Sequence, residues 1–164
     1  MQAAVETRDE EEAPEQLLPR VTLRILLAED NSVNQKVALQ MLRKLGYSAD
    51  VASDGLQALA LVRQQHYDVV LMDIQMPEMD GLQASANIRA MAEITQPYVV
   101  AMTANALTSD RERCIDAGMD DFVAKPVRIG EVQAALLRAA SRLQPLKAPA
   151  DQAAQTTSDL SYRQ

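Results

Sequence analysis

Between residues 24 and 143, short apolar runs alternate with stretches whose apolar residues recur at helical spacing. Arg24 to Ala28 reads as a buried strand, and Ser32 to Leu45 repeats apolar residues every three or four positions until Gly46 stops it. Tyr47 to Ala52, Gly55 to Gln64 and Asp68 to Met72 repeat the alternation. A helix over Leu82 to Met91 follows the breaker Pro77 and the turn pair Asp80-Gly81. Pro97 to Met102, Thr108 to Ala117, Asp120 to Ala124 and Arg128 to Leu143 complete five strands and five helices. On a helical wheel the first helix turns Ala38, Met41 and Leu45 inward, with Val33 and Leu39 toward its flanks. Strands that read as continuous apolar runs are covered on both faces, which predicts parallel pairing, right-handed crossovers and a doubly wound α/β sheet.

The ends of the chain read differently. Residues 1–20 hold six acids against Arg8 and Arg20, with Pro14 and Pro19 and almost no periodicity. Residues 144–164 are mostly Ala, Gln, Ser and Thr with scattered apolar residues. Neither composition buries enough surface to order itself, so both are expected to be disordered tails around one domain over 21–143. Of the formal net charge of -7, the first 20 residues contribute -4, so the central domain is only mildly acidic.

Composition narrows the function. Aromatic residues are 3% of the chain and Trp is absent, which leaves no base-stacking surface, and the negative charge repels nucleic acid and acidic lipid. The one cysteine has no internal disulfide partner, and no apolar run approaches a membrane span. The segment is therefore expected to contact neither nucleic acid nor membrane and to work in the cytoplasm, either alone or as part of a membrane-anchored parent protein.

Doubly wound sheets place their chemistry at the carboxyl ends of the strands. Strand one ends in Glu29-Asp30-Asn31, strand three in Asp73, strand four in Thr103 and strand five in Lys125-Pro126. A lone Asp at a strand end is ordinarily a cap or turn residue. An acid pair, a central Asp, a hydroxyl and a Lys at successive strand ends make a set that crowds negative charge, and such a set either protonates or takes a cation. A hard divalent ion such as Mg²⁺ suits it, because Mg²⁺ wants oxygen ligands and keeps room for waters and a phosphate oxygen. Lys125 is placed to pair with Asp73 and then with a phosphoryl oxygen, and Thr103 to donate to another.

The segments Leu-Leu-Ala-Glu-Asp-Asn (26–31), Val-Val-Leu-Met-Asp-Ile-Gln-Met-Pro-Glu-Met-Asp-Gly (69–81), Ala-Met-Thr-Ala-Asn-Ala (101–106) and Phe-Val-Ala-Lys-Pro (122–126) resemble those of response-regulator receiver domains. The helix start Asn34-Gln-Lys-Val-Ala38 resembles the receivers of hybrid sensor histidine kinases in particular. The resemblance implies a flavodoxin-like (βα)₅ sheet in the order 2-1-3-4-5. It implies that Asp73 is the phosphoryl acceptor, fed by phosphohistidine on a histidine phosphotransfer domain or a histidine kinase dimerisation domain. It implies metal ligation by Glu29, Asp30, Asp73 and the Gln75 backbone carbonyl, phosphoryl contacts from Thr103 and Lys125, and a cis Lys125–Pro126 peptide. Gln75 and Asn105 fall where the family modulates access of hydrolytic water. Phe122 falls on the aromatic switch position, paired with Thr103; the family often has Tyr there, so a switch through a phenol hydroxyl is not available. Val33 and Leu39 are the candidate partner-binding residues.

A free-standing response regulator is the nearest alternative to a piece of a hybrid kinase. An aspartate-nucleophile phosphohydrolase is a third reading, but Ile74-Gln75 follow Asp73 where that class has a second acid two residues on. A flavodoxin-type flavin binder is disfavoured, since Glu29 and Asp30 occupy the loop that would cradle a phosphate. His66, Cys114 and the eight Met residues are assigned no chemistry.

Overall fold

The computed structural model describes residues 22–104 and 108–143. The two expected tails, and Asn105, lie outside the described residues. Five strands, β1 (Ile25–Ala28), β2 (Ala49–Ala52), β3 (Val69–Asp73), β4 (Tyr98–Thr103) and β5 (Asp121–Ala124), alternate with five helices. These are α1 (Ser32–Lys44), α2 (Gly55–Gln64), α3 (Gly81–Arg89), α4 (Thr108–Asp116) and α5 (Ile129–Leu143). The sheet is parallel throughout in the order β2-β1-β3-β4-β5, the order expected.

Alternation along the strands builds two cores. Leu26, Ala28, Val70, Met72, Val99 and Ala101 face α2, α3 and α4 through Ala58, Leu59, Val62, Ala84, Ile88 and Cys114. The intervening Ile25, Leu27, Val69, Leu71, Val100 and Met102 face α1 and α5 through Ala38, Leu42, Val132, Ala135 and Leu136. Each large aliphatic side chain buried this way contributes about 1.5–3 kcal/mol. β2 is the exception to the continuous apolar run: its burial alternates and Asp50 is exposed, because it forms one edge of the sheet.

Local signals set the helix boundaries. Asn31, Asp54 and Asp80 cap α1, α2 and α3, each accepting a backbone N–H three residues on, at 3.0, 2.8 and 2.8 Å. Arg43 and Lys44, Arg63, Arg89, Arg113 and Arg142 stand in the last turns, where cations complement the helix dipole. Among the described residues no helix is long and apolar enough to cross a membrane.

On α1 the expected stripe is rotated. Ala38 and Leu42 are the buried pair, while Met41 and Leu45 are only half-buried. Leu39, expected to face a partner, is half-buried and packs against the core that α1 and α5 share.

Candidate functional site

The ladder carries the site residues to one edge. Asp73 is the last residue of β3 and pairs in register with Met102; Thr103 ends β4 opposite Ala124. Glu29 follows β1 and stays tied to the edge strand, its N–H donating to the Ala52 carbonyl at 2.9 Å. Glu29, Asp73 and Thr103 are buried, whereas Asp30 beside them is exposed.

Two buried carboxylates within reach of each other need a counter-charge. Lys125 supplies it: its Nζ lies 3.0 Å from Asp73 Oδ2 and 3.3 Å from Glu29 Oε1. The Lys125 N–H donates to the Thr103 carbonyl at 2.8 Å, and the Lys125–Pro126 peptide is cis, as the resemblance implied. Burial works to lower the Lys125 pKa, but the Asp73 hydrogen bond and the charges of Asp73 and Glu29 outweigh it, so the ammonium is held above its ordinary value. The remaining oxygens are partly used. The Gln75 N–H donates to Asp73 Oδ1 at 3.3 Å, and the Asn31 N–H and the Asn34 side-chain amide donate to Glu29 Oε2 at 3.2 and 3.4 Å.

Carboxylate oxygens of Glu29, Asp30 and Asp73 all lie within 4.8 Å of one another. Three hard oxygen donors converging in this way, two of them buried, fit a divalent cation of the Mg²⁺ class. Asp73 opens into a cavity of about 420 Å³ that Thr103, Lys125 and Gln75 also line.

The backbone under Asp73 is shaped by Gly81, which the sequence pattern alone marks only as a turn residue. Its N–H donates to the Ile74 carbonyl at 2.8 Å, and a Cβ at position 81 would sit on the Asp73 carbonyl oxygen. The Asp-Gly pair therefore both caps α3 and presses its first turn against the acid. Gln35, also missed, donates its side-chain amide to the Glu29 carbonyl at 2.6 Å.

The other expected residues are placed as follows. Phe122 is half-buried against the core beside Ala101, with the Arg111 guanidinium 5.4 Å from its ring centroid. Val33 is 65% exposed on α1, and Val37, not singled out from the sequence, is 43% exposed one turn further on. Val37 lines a groove of about 190 Å³ with Asn34, Lys125, Pro126 and Val127. Cys114 is buried and lines the Asp73 cavity; His66 is exposed at the opposite end of the sheet, with Nε2 2.9 Å from Asp68 Oδ1.

The family model described as the response regulator receiver domain matches residues 25–137. A hybrid signal transduction histidine kinase from Dictyostelium discoideum is 37% identical over 125 residues, which are 72% of this chain and 10% of that protein. The chain thus spans about a tenth of the length of that relative. Among solved structures, the receiver domain of a sensor histidine kinase from Pseudomonas aeruginosa, with a magnesium ion coordinated in its active-site cleft, is 45% identical with a TM-score of 0.68. That match covers 74% of this chain and 99% of the other. A chain of the co-crystal structure of a Saccharomyces cerevisiae histidine phosphotransfer signalling protein with the receiver domain of its downstream response regulator matches at 26% identity and TM-score 0.63, over 68% of this chain and 83% of that one.

Proposed function

The chain belongs to the response regulator receiver domain family, and from that premise we propose that Asp73 accepts a phosphoryl group from a phosphohistidine, within a protein of the hybrid sensor histidine kinase type. The observation that carries the proposal is the single ammonium shared by two buried carboxylates, with the Asp73 side opening into the cavity. Such a pair is held together at rest and has a cation to pass to an incoming phosphate.

Glu29, Asp30, Asp73 and the Gln75 carbonyl would hold Mg²⁺. When bound, the ion supplies positive charge that offsets the phosphoryl oxygens and the acid cluster. The chain's own groups do the rest. An ionised Asp73 oxygen needs no base: it forms a bond to phosphorus as the phosphorus–nitrogen bond of the donor breaks, and the imidazole leaves with the electron pair. Lys125 exchanges its contact with Asp73 for one with a phosphoryl oxygen, and the buried Thr103 hydroxyl donates to another. The product is a mixed anhydride, open to hydrolysis, so the mark is temporary.

Incubating the chain with Mg²⁺ and phosphoramidate is expected to give a hydroxylamine-labile mass increase that is absent in Asp73→Asn and with chelator. Persistence of the adduct in Asp73→Asn would overturn the assignment. Motion of Thr103 toward the phosphoryl group frees space that Phe122 fills by ring rotation. Phe122 is the single Phe of the chain; its ring resonances shift on phosphorylation, and unchanged resonances would remove the switch.

The donor's docking surface is assigned to Val33 and Val37, beside the groove at Lys125 and Pro126. The yeast complex supports a histidine phosphotransfer partner for receivers of this fold. Val37→Asp is expected to lower the rate of transfer from a phosphotransfer protein relative to the rate from phosphoramidate; equal slowing of both would refute the surface.

A further inference from the structure

The cavity that Asp73 opens into has a second side. Leu82, Met102 and Cys114 give it an apolar wall, and Asp80, the cap of α3, stands beside it with Asp110 and Arg113 of α4. The cavity holds two cations, and they are engaged differently. Lys125 is bound to both Glu29 and Asp73. Among the described residues the acid that Arg113 pairs with is Asp110, one turn back on the same helix, at 3.8 Å, and the Arg113 side chain is 65% exposed. That distance is too long for a hydrogen bond, so the pair is a loose helix-surface contact and the guanidinium keeps donors for a visitor.

We propose that Arg113 is a specificity-determining residue for direct phosphorylation of Asp73 by small molecules, favouring donors that release a carboxylate. The proposal rests on the reading of Asp73 as the acceptor. In-line displacement sends the leaving group to the side of phosphorus opposite the attacking oxygen, away from Asp73 and toward the mouth of the same cavity. With an acyl phosphate, an Asp73 oxygen bonds to phosphorus, the bond from phosphorus to the acyl oxygen breaks, and a carboxylate departs with the electron pair; no proton moves. Negative charge grows on that leaving oxygen in a cavity already carrying Asp80 and Asp110, and Arg113 is the cation placed to meet it. The short acyl chain lies against Leu82, Met102 and Cys114. With phosphoramidate, whose nitrogen already carries its proton, the phosphorus–nitrogen bond breaks and neutral ammonia leaves, so Arg113 has no new charge to meet.

The test is the ratio of the phosphorylation rate from acetyl phosphate to that from phosphoramidate, measured on the full chain at saturating Mg²⁺. For an exposed guanidinium the ratio is expected to fall about threefold in Arg113→Ala and to recover in Arg113→Lys. It is expected to rise in Asp110→Asn, which removes a competing carboxylate and frees the guanidinium. Added salt lowers the wild-type ratio and leaves that of Arg113→Ala nearly flat, because the contact is screened. If Arg113 serves only to steady α4, Arg113→Ala changes both rates alike and the ratio stays constant, which overturns the proposal. Wild-type chain that takes phosphate from neither donor overturns the acceptor reading itself, an outcome distinct from an unchanged ratio.

Discussion

The two edges of the sheet carry the same kind of residue and treat it in opposite ways. At the amino edge, acids near the strand starts are each matched. Asp50 accepts from the Tyr67 hydroxyl at 2.6 Å, and Asp68 from the Arg24 N–H at 2.8 Å beside His66. Asp120 takes Arg89 at 2.6 Å and Arg142 at 3.2 Å, while Asp121 takes Arg138 at 2.6 Å and the Tyr98 hydroxyl at 3.0 Å. At the carboxyl edge, Glu29, Asp30 and Asp73 crowd together and Lys125 is the ammonium between two of them. An acid with dedicated partners holds a fold together, whereas acids sharing one cation are left able to exchange it for something else. Position in the sheet, not residue type, separates structure from chemistry here.

The largest way to break this contrast is at Lys125. Lys125→Met leaves Glu29 and Asp73 facing each other without a cation, and phosphorylation from phosphoramidate is expected to slow about a hundredfold, the scale of losing one charged contact in a phosphoryl-transfer site. A loss of only a fewfold would show that the ammonium is structural and that the carboxyl edge resembles the amino edge after all.

Arg89 tests the other side of the comparison. Its guanidinium donates to the carbonyls of Gly118 and Pro97 at 2.7 and 2.8 Å, to Gln96 at 2.8 Å and to Asp120, tying the end of α3 to β4, to the turn after α4 and to β5. Gly118 stands at φ +94°, where a side chain would strike Arg89. Arg89→Ala is expected to cost about 2 kcal/mol, seen as a lower urea midpoint at constant slope, since the pair is part-buried rather than sealed. The phosphorylation rate is expected to hold within about twofold, as for a substitution far from the chemistry; a rate that fell with the stability would mean the edges are coupled.

The smallest effect is a titration. Burial, then the hydrogen bond to Asp50, pushes Tyr67 up to about 12. A folded pKa above the unfolded value of about 10 contributes stability that is complete below pH 10 and is lost as pH rises through the folded value. Lys125, also raised, has the same sign. Burial also raises Tyr47 and Tyr98, so alkaline titration followed by tyrosinate absorbance is expected to show several tyrosines ionising late, and Tyr67→Phe removes one of those late steps. A Tyr67 that ionises near the unfolded value of about 10 would mean that Asp50 is not satisfied.

Much of this was legible in the sequence because hydrophobic period and strand-end polarity report directly on burial and topology. The strand order and the meeting of Glu29, Asp30, Asp73, Thr103 and Lys125 all appear as expected. Boundaries were less legible. β3 and β4 run one residue further than their apolar runs, through Asp73 and Thr103, because the hydrogen-bond ladder continues after the side chains turn polar. The wheel of α1 missed Leu42, since packing against both the sheet and α5 rotated the buried stripe away from Met41 and Leu45. Gly81 against Asp73 and Arg89 across to Asp120 join positions 8 and 31 residues apart through close approaches that no periodicity encodes.

The most direct test of the central claim is where the phosphate sits. Borohydride reduction of the phosphorylated chain converts an aspartyl phosphate to homoserine, and peptide sequencing by mass spectrometry then reads the position. The arrangement around Lys125 predicts homoserine at position 73 and Asp retained at position 30. Homoserine at any other position, or phosphate found on His66, would contradict it.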